Sequence, residues 1–132
     1  MKRFIALLLI VFTIAAATIV PICAAINWNS TQDCRISLTF SGSTANCSLD
    51  VYATDSNADI TATIKLQKKG LLGIYTTKEK WEDVNGTGDL NFYDTYSPVD
   101  SGEYKLIADI DVVGDSGSDS FTMGLLSNKI LL

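Results

Sequence analysis

Apolar and polar residues alternate along most of this chain. Tyr104, Leu106, Ala108, Ile110 and Val112 are separated by Lys105, Asp109 and Asp111, and only Ile107 breaks the rhythm. Ile60, Ala62, Ile64 and Leu66 alternate in the same way with Thr61, Thr63, Lys65 and Gln67. Period two is the spacing of a strand with one buried face, and the β-branched residues suit a pleated surface. The same reading predicts strands over residues 35–40 and 74–81, a short one over 90–94, and one that starts with Phe121, Met123 and Leu125 and ends near Leu132. Cys47, Leu49, Val51 and Ala53 form the inward set of another. Turn chemistry separates them: Ser41 to Thr44, Asp55 to Asp59, Lys68 to Gly73, Asn85 to Gly88, and Gly114 to Asp119. Residues 26–33, with Trp28, read as a polar lead-in that pairs at an edge. Seven or eight strands with close turns, and no helical period after residue 25, predict an all-β antiparallel sandwich with Greek-key connections. A small barrel is the alternative.

The segment before the strand at 104–112 sharpens this expectation. Asp100-Ser101-Gly102-Glu103-Tyr104 supplies side-chain acceptors, then a residue free to take positive φ, then a tyrosine. A tyrosine so placed buries its ring and returns its hydroxyl to the backbone of the preceding corner, leaving no unpaired buried donor. Asp100, Gly102 and Tyr104 together resemble the F-strand corner of immunoglobulin-like domains. The resemblance implies an immunoglobulin-like sandwich, with two departures. Leu106 stands where antibody domains place a core cysteine, and Leu66 stands roughly where they place a core tryptophan. The order of Thr61 to Lys69, a glycine-bearing turn, Tyr75 to Trp81 and this corner is also similar to small secreted immunoglobulin-like proteins of Gram-positive bacteria. That likeness implies fold and export; it carries over no functional residue.

Export is also written at the N-terminus. Lys2 and Arg3 precede an almost wholly apolar run from Phe4 to Ile22, and Cys23-Ala24-Ala25 ends it with small residues. This predicts a signal peptide over residues 1–25, followed by a single domain over 26–132 and a secreted, extracellular location. An uncleaved anchor is the alternative, and contact with a membrane is expected only through that leader. Lys2 and Arg3 account for two of the ten basic residues. Residues 26–132 therefore carry eight basic and all fifteen acidic groups, a net charge of −7. That charge argues against nucleic acid as a partner. Cys34 and Cys47 sit on opposite arms of a predicted hairpin, and in an exported chain they are expected to form a disulfide.

Candidate chemistry is sparse. The chain has no histidine, which removes histidine-based nucleophilic catalysis and most zinc sites. Glu79, Glu82, Asp83, Asp89 and Asp94 cluster in sequence, but a single small sandwich rarely builds the cleft in which two carboxylates flank a glycosidic bond. The acidic turns at Asp55–Asp59, Asp115 and Asp119 offer a surface calcium site as an alternative to a solvating role. No catalytic residue, cofactor or metal is expected. One stretch suggests contact: Leu71 and Leu72 at a predicted turn tip, with Lys68, Lys69 and Tyr75 beside them, and Lys65, Lys78 and Lys80 on the flanking strands. An apolar tip of this kind either folds back under its sheet or meets a partner. The expectation is a non-enzymatic binding module at or near the cell envelope, its partner an unknown protein or a cell-wall glycan. The alternatives are a self-associating structural subunit that uses its edge strands and apolar C-terminus, and a small hydrolase or inhibitor.

Overall fold

Seven strands account for most of residues 29–130, the residues described by the computed structural model. The predicted leader, Trp28 and Leu131–Leu132 lie outside them. The strands are β1 (Thr31–Ser41), β2 (Thr44–Ala53), β3 (Asp59–Lys69), β4 (Tyr75–Thr87), β5 (Asp89–Tyr96), β6 (Gly102–Gly114) and β7 (Gly117–Lys129). They form two antiparallel sheets, β1-β2-β5 and β4-β3-β6-β7. The chain crosses between sheets after β2, β4 and β5, as an immunoglobulin-like sandwich requires. The alternation read from sequence faces the core: Ile36, Leu38, Leu49, Val51, Ile60, Ile64, Leu66, Leu106 and Val112 are fully buried. Leu66 and Leu106, at or near the two positions that hold tryptophan and cysteine in antibody domains, are cross-strand partners.

The expected Cys34–Cys47 disulfide does not form. The register of β1 on β2 sets Cys34 opposite Val51 and Cys47 opposite Leu38. The two cysteines are thus four residues apart along the hairpin, roughly 13 Å at strand rise, beyond the reach of an S–S bond. The turn is where the sequence puts it, at Gly42-Ser43 with Ser41 paired to Thr44, but Cys34 lies seven residues before Ser41 and Cys47 only three after Thr44, so the two cannot face each other. Cys47 is a buried free thiol. Burial, and secondarily the Asp94 carboxylate, pushes its pKa up to about 12. At neutral pH it then holds roughly a thousandfold less thiolate than an ordinary cysteine. Peptide mapping after alkylation is expected to find Cys47 unmodified in the native protein and fully modified in urea without any reductant. Modification that required reductant would restore the disulfide.

Side chains lace the two sheets at their edges. On one side the Trp81 indole Nε1 of β4 donates to the Asp94 carboxylate of β5 at 2.8 Å, and its ring meets Phe92 edge-on at 5.3 Å. On the other, Asp119 of β7 accepts from the backbone N–H of Asn29 and Ser30 and from the Thr31 hydroxyl at the start of β1.

Two predicted turns are shorter than the sequence suggested. The one at Gly114–Asp119 shrinks to residues 115–116. The Asn85–Gly88 signal marks a continuing strand: β4 runs to Thr87, and a Cβ on Gly86 would fall 2.2 Å from the Asp89 carbonyl oxygen. Glycine is there for that close backbone approach; the turn itself is at Gly88.

Candidate contact site

The β3–β4 connection is five residues, 70–74, with Leu71-Leu72-Gly73 at its tip. Gly70 N–H donates to the Ile74 carbonyl at 2.8 Å, and Gly73 N–H donates to the Gly70 carbonyl at 3.1 Å. Gly73 takes φ +80°, the left-handed conformation that closes such hairpins at no steric cost. The loop projects outward and does not fold back under its sheet. Leu71 is 103% exposed, Leu72 87% and Ile74 63%.

The base of this tip is braced against the corner before β6. Lys68 reaches across Gly102 to the Asp100 carboxylate at 2.8 Å, and its ammonium lies 5.8 Å from the centre of the Tyr104 ring. The lysine stem explains the glycine: at φ +149°, Gly102 has Lys68 Cε only 2.7 Å from where a Cβ would stand. Tyr104 is 1% exposed, and its hydroxyl donates to the Asp100 carbonyl at 2.8 Å. The Lys68 contact holds the Asp100 carboxyl below the usual carboxylate range. Lys69 approaches Glu103 at 3.8 Å, the Tyr75 hydroxyl donates to Glu103, and the Lys105 ammonium sits 4.1 Å from the centre of the Tyr75 ring. Burial first, then the Glu103 bond, raises the Tyr75 pKa to about 12. The tip and the corner, separate features in the sequence, are one cluster.

The cluster sits at one pole of a charge-polarised sheet. Trp81, Ile64, Ala108 and Met123 form a row across the middle of the four-stranded sheet. Every lysine among the described residues lies on the tip side of that row: Lys65, Lys68 and Lys69 on β3, Lys78 and Lys80 on β4, Lys105 on β6 and Lys129 on β7. Glu79, Asp100 and Glu103 are the carboxylates that this half of the sheet and its loops carry among the described residues. The other half carries Asp55, Asp59, Glu82, Asp83, Asp109, Asp111, Asp115 and Asp119, with no lysine or arginine among its described residues. Ile74, Glu103, Lys105 and Lys129 were not singled out from sequence. Their place at the tip follows from register, which sets Lys105 opposite Gln67 and Lys129 opposite Gly102.

The other candidates are engaged elsewhere. Asp55 accepts from the N–H of Asn57 and Asp115, and Asp119 faces the start of β1. Among the described residues no group of three or more His, Cys, Asp or Glu gathers to hold a metal ion. Of the carboxylates weighed for acid–base chemistry, Asp94 is held by Trp81 and Glu82 by Lys80 at 2.7 Å.

No protein-family model and no curated protein matches the chain. Among solved structures it is similar to β-glucosidase 3B from Thermotoga neapolitana. The complex of that enzyme with α-D-glucose aligns at 12% identity and a TM-score of 0.37, over 83% of this chain and 17% of the enzyme. Its glucose and glycerol complexes align at 13% identity, with TM-scores of 0.36 and 0.34, over 71% of this chain and 16% of the enzyme. The chain thus spans about a sixth of the length of the structures it matches.

Proposed function

We propose that the protein is a secreted, non-catalytic binding module that works at or near the cell envelope and makes contact through the tip formed by residues 68–75. The exposed Leu71–Leu72 pair carries this reading. Two adjacent leucines in water forgo the stabilisation of burial, on the order of 2 kcal/mol each, and a short hydrogen-bonded loop holds them there. A loop free of function has polar residues available to it at no cost to the hairpin. The brace of Lys68, Lys69 and Tyr75 on Asp100 and Glu103 fixes the direction in which the leucines point, which lowers the ordering cost of binding.

The test is sedimentation of the protein with isolated bacterial cell envelopes, with and without a calcium chelator. Wild-type protein is expected to pellet in both conditions. Replacing both leucines with aspartate is expected to weaken binding at least about tenfold while leaving the melting curve unchanged, because neither side chain is part of the core. Undiminished binding by the double variant would remove the tip from the interface. Binding that vanished with the chelator would move it to the acidic turns.

A further inference from the structure

We infer that the surface met by this tip is an anionic lipid bilayer, with Leu71, Leu72 and Ile74 entering the boundary between headgroups and acyl chains. The inference deepens the proposed envelope-binding role and rests on it, and it extends membrane contact beyond the leader.

Three observations converge. First, the tip brings no polar side chain with it. No polar side chain lies between Gly70 and Ile74, and the loop's own hydrogen bonds already occupy the N–H groups of Gly70 and Gly73 and the carbonyls of Gly70 and Ile74. An apolar medium penalises unpaired backbone groups, so these bonds lower the cost at the base of the loop, while the backbone of Leu71 and Leu72 keeps its partners at the hydrated headgroup level as their side chains enter. Second, the order of chemistry along the pole matches the order of chemistry through a bilayer interface. Leucines and an isoleucine project furthest; Tyr75 follows; Lys68, Lys69 and Lys105 stand behind with long stems and charged heads. Aromatic and lysine side chains hold that depth at lipid interfaces, ring or stem in the apolar zone and polar end at the headgroups.

Third, the charge distribution selects both the lipid and the orientation. Residues 26–132 are acidic overall, yet the described lysines all gather on the tip side of the four-stranded sheet, and its far half carries carboxylates alone. Across the four-stranded sheet, a negative surface attracts the tip end and repels the far end. Each lysine not already paired with a carboxylate, Lys105 among them, strengthens binding on the order of fivefold when brought close to an anionic membrane; Lys68 and Lys69, paired with Asp100 and Glu103, add less, and each leucine leaving water adds about tenfold or more. An anionic wall polymer would satisfy the lysines and leave the leucines in water. A protein groove would satisfy the leucines without calling on lysines from four different strands. An anionic bilayer uses both.

The full-length chain carrying Leu71→Trp tests this, because the probe reads position 71 wherever the leader lies. Its fluorescence, less that of the wild type with Trp28 and Trp81, is followed in vesicles of brominated phosphatidylcholine with or without equimolar phosphatidylglycerol. The added indole is expected to shift to the blue and be quenched in anionic vesicles. The apparent affinity is expected to fall at least about tenfold at high salt, and again when Leu72→Asp is added. Equal quenching in neutral vesicles would overturn the role given to the lysines. An unquenched indole, with the wild type still pelleting with cell envelopes, would overturn the lipid assignment and leave the envelope-binding role standing. No binding to either would end both.

Discussion

Tyr104→Ala is expected to destabilise the domain by about 3–5 kcal/mol, against a total of roughly 5–15 kcal/mol for a domain of this kind. Three losses add. The ring is 1% exposed and packs on Phe40 at 5.3 Å, so its removal opens a cavity between β6 and the end of β1. The hydroxyl bond to the Asp100 carbonyl disappears, and the corner loses the contact that fixes its path into β6. Lys68 keeps Asp100 but loses the ring beneath its ammonium. Tyr104→Phe separates these effects: it keeps the ring and removes the hydroxyl, for an expected cost of about 1 kcal/mol. Urea unfolding of the two variants, at unchanged dependence on denaturant, measures both numbers. Equal costs would mean that the hydroxyl, not the ring, holds the corner. The tip is joined to this corner through Lys68, so Tyr104→Ala is also expected to weaken envelope binding in any population that stays folded.

The corner and the strands were legible in the sequence because both are local. Asp100, Gly102 and Tyr104 lie within five residues and the tyrosine bonds to Asp100, so its partner could be placed in the preceding corner before any tertiary contact was known. Alternation in β3 and β6 is equally local, and it placed Ile60, Ile64, Leu66, Leu106 and Val112 in the core correctly. What failed depended on register. The cysteine pair looked bridgeable because the two lie on opposite arms of one hairpin; residue-by-residue pairing from Ser41 and Thr44 sets each opposite an aliphatic residue. Asn85-Gly86 has the composition of a turn, yet the glycine serves the passage of β5 past β4, and no local signal distinguishes the two uses.

The candidate site divides in the same way. Leu71 and Leu72 were visible as an apolar pair between glycines. The basic character of the flanking hairpin was visible too, but its meaning changed on folding. Lys68 and Lys69 meet Asp100 and Glu103, more than thirty residues away, and Lys105 and Lys129 arrive from β6 and β7. The polarity of the sheet is therefore a property of how four strands are registered. No single stretch of sequence carries it: β3, β4 and β6 each have a more basic and a more acidic end, and only antiparallel pairing brings the basic ends to one side.

Asp119→Ala is expected to be the second large effect, about 2–4 kcal/mol at neutral pH, and the one that depends on acidity. The carboxylate is 8% exposed and takes three donors from the start of β1: Asn29 N–H at 3.0 Å, Ser30 N–H at 2.9 Å and the Thr31 hydroxyl at 2.7 Å. Ser30 is fully buried and Thr31 is 6% exposed, so alanine would leave buried donors without an acceptor and free the lead-in from β7. Burial alone would raise the carboxyl pKa. The N–H of Asn29, the Thr31 hydroxyl and the N–H of Ser30 and Thr31 outweigh it, and the net shift is downward. A carboxyl whose pKa is lower folded than unfolded stabilises the fold when ionised. That contribution is complete above the unfolded value near pH 4 and is lost as the pH falls through the folded value. The stability gap between wild type and Asp119→Ala should therefore be constant from neutrality to about pH 5 and shrink below about pH 4. Asp55, Glu82 and Asp100 are shifted the same way, but they are present in both proteins and cancel in the difference. Hydrogen exchange at Asn29 and Ser30 should quicken in the variant before exchange in β3 or β6 does, because the latch holds one edge of the sandwich and not its centre. A gap that persisted unchanged into acid would mean that Asp119 acts by its shape and not by its charge. The edge between β1 and β7 would then rest on packing alone.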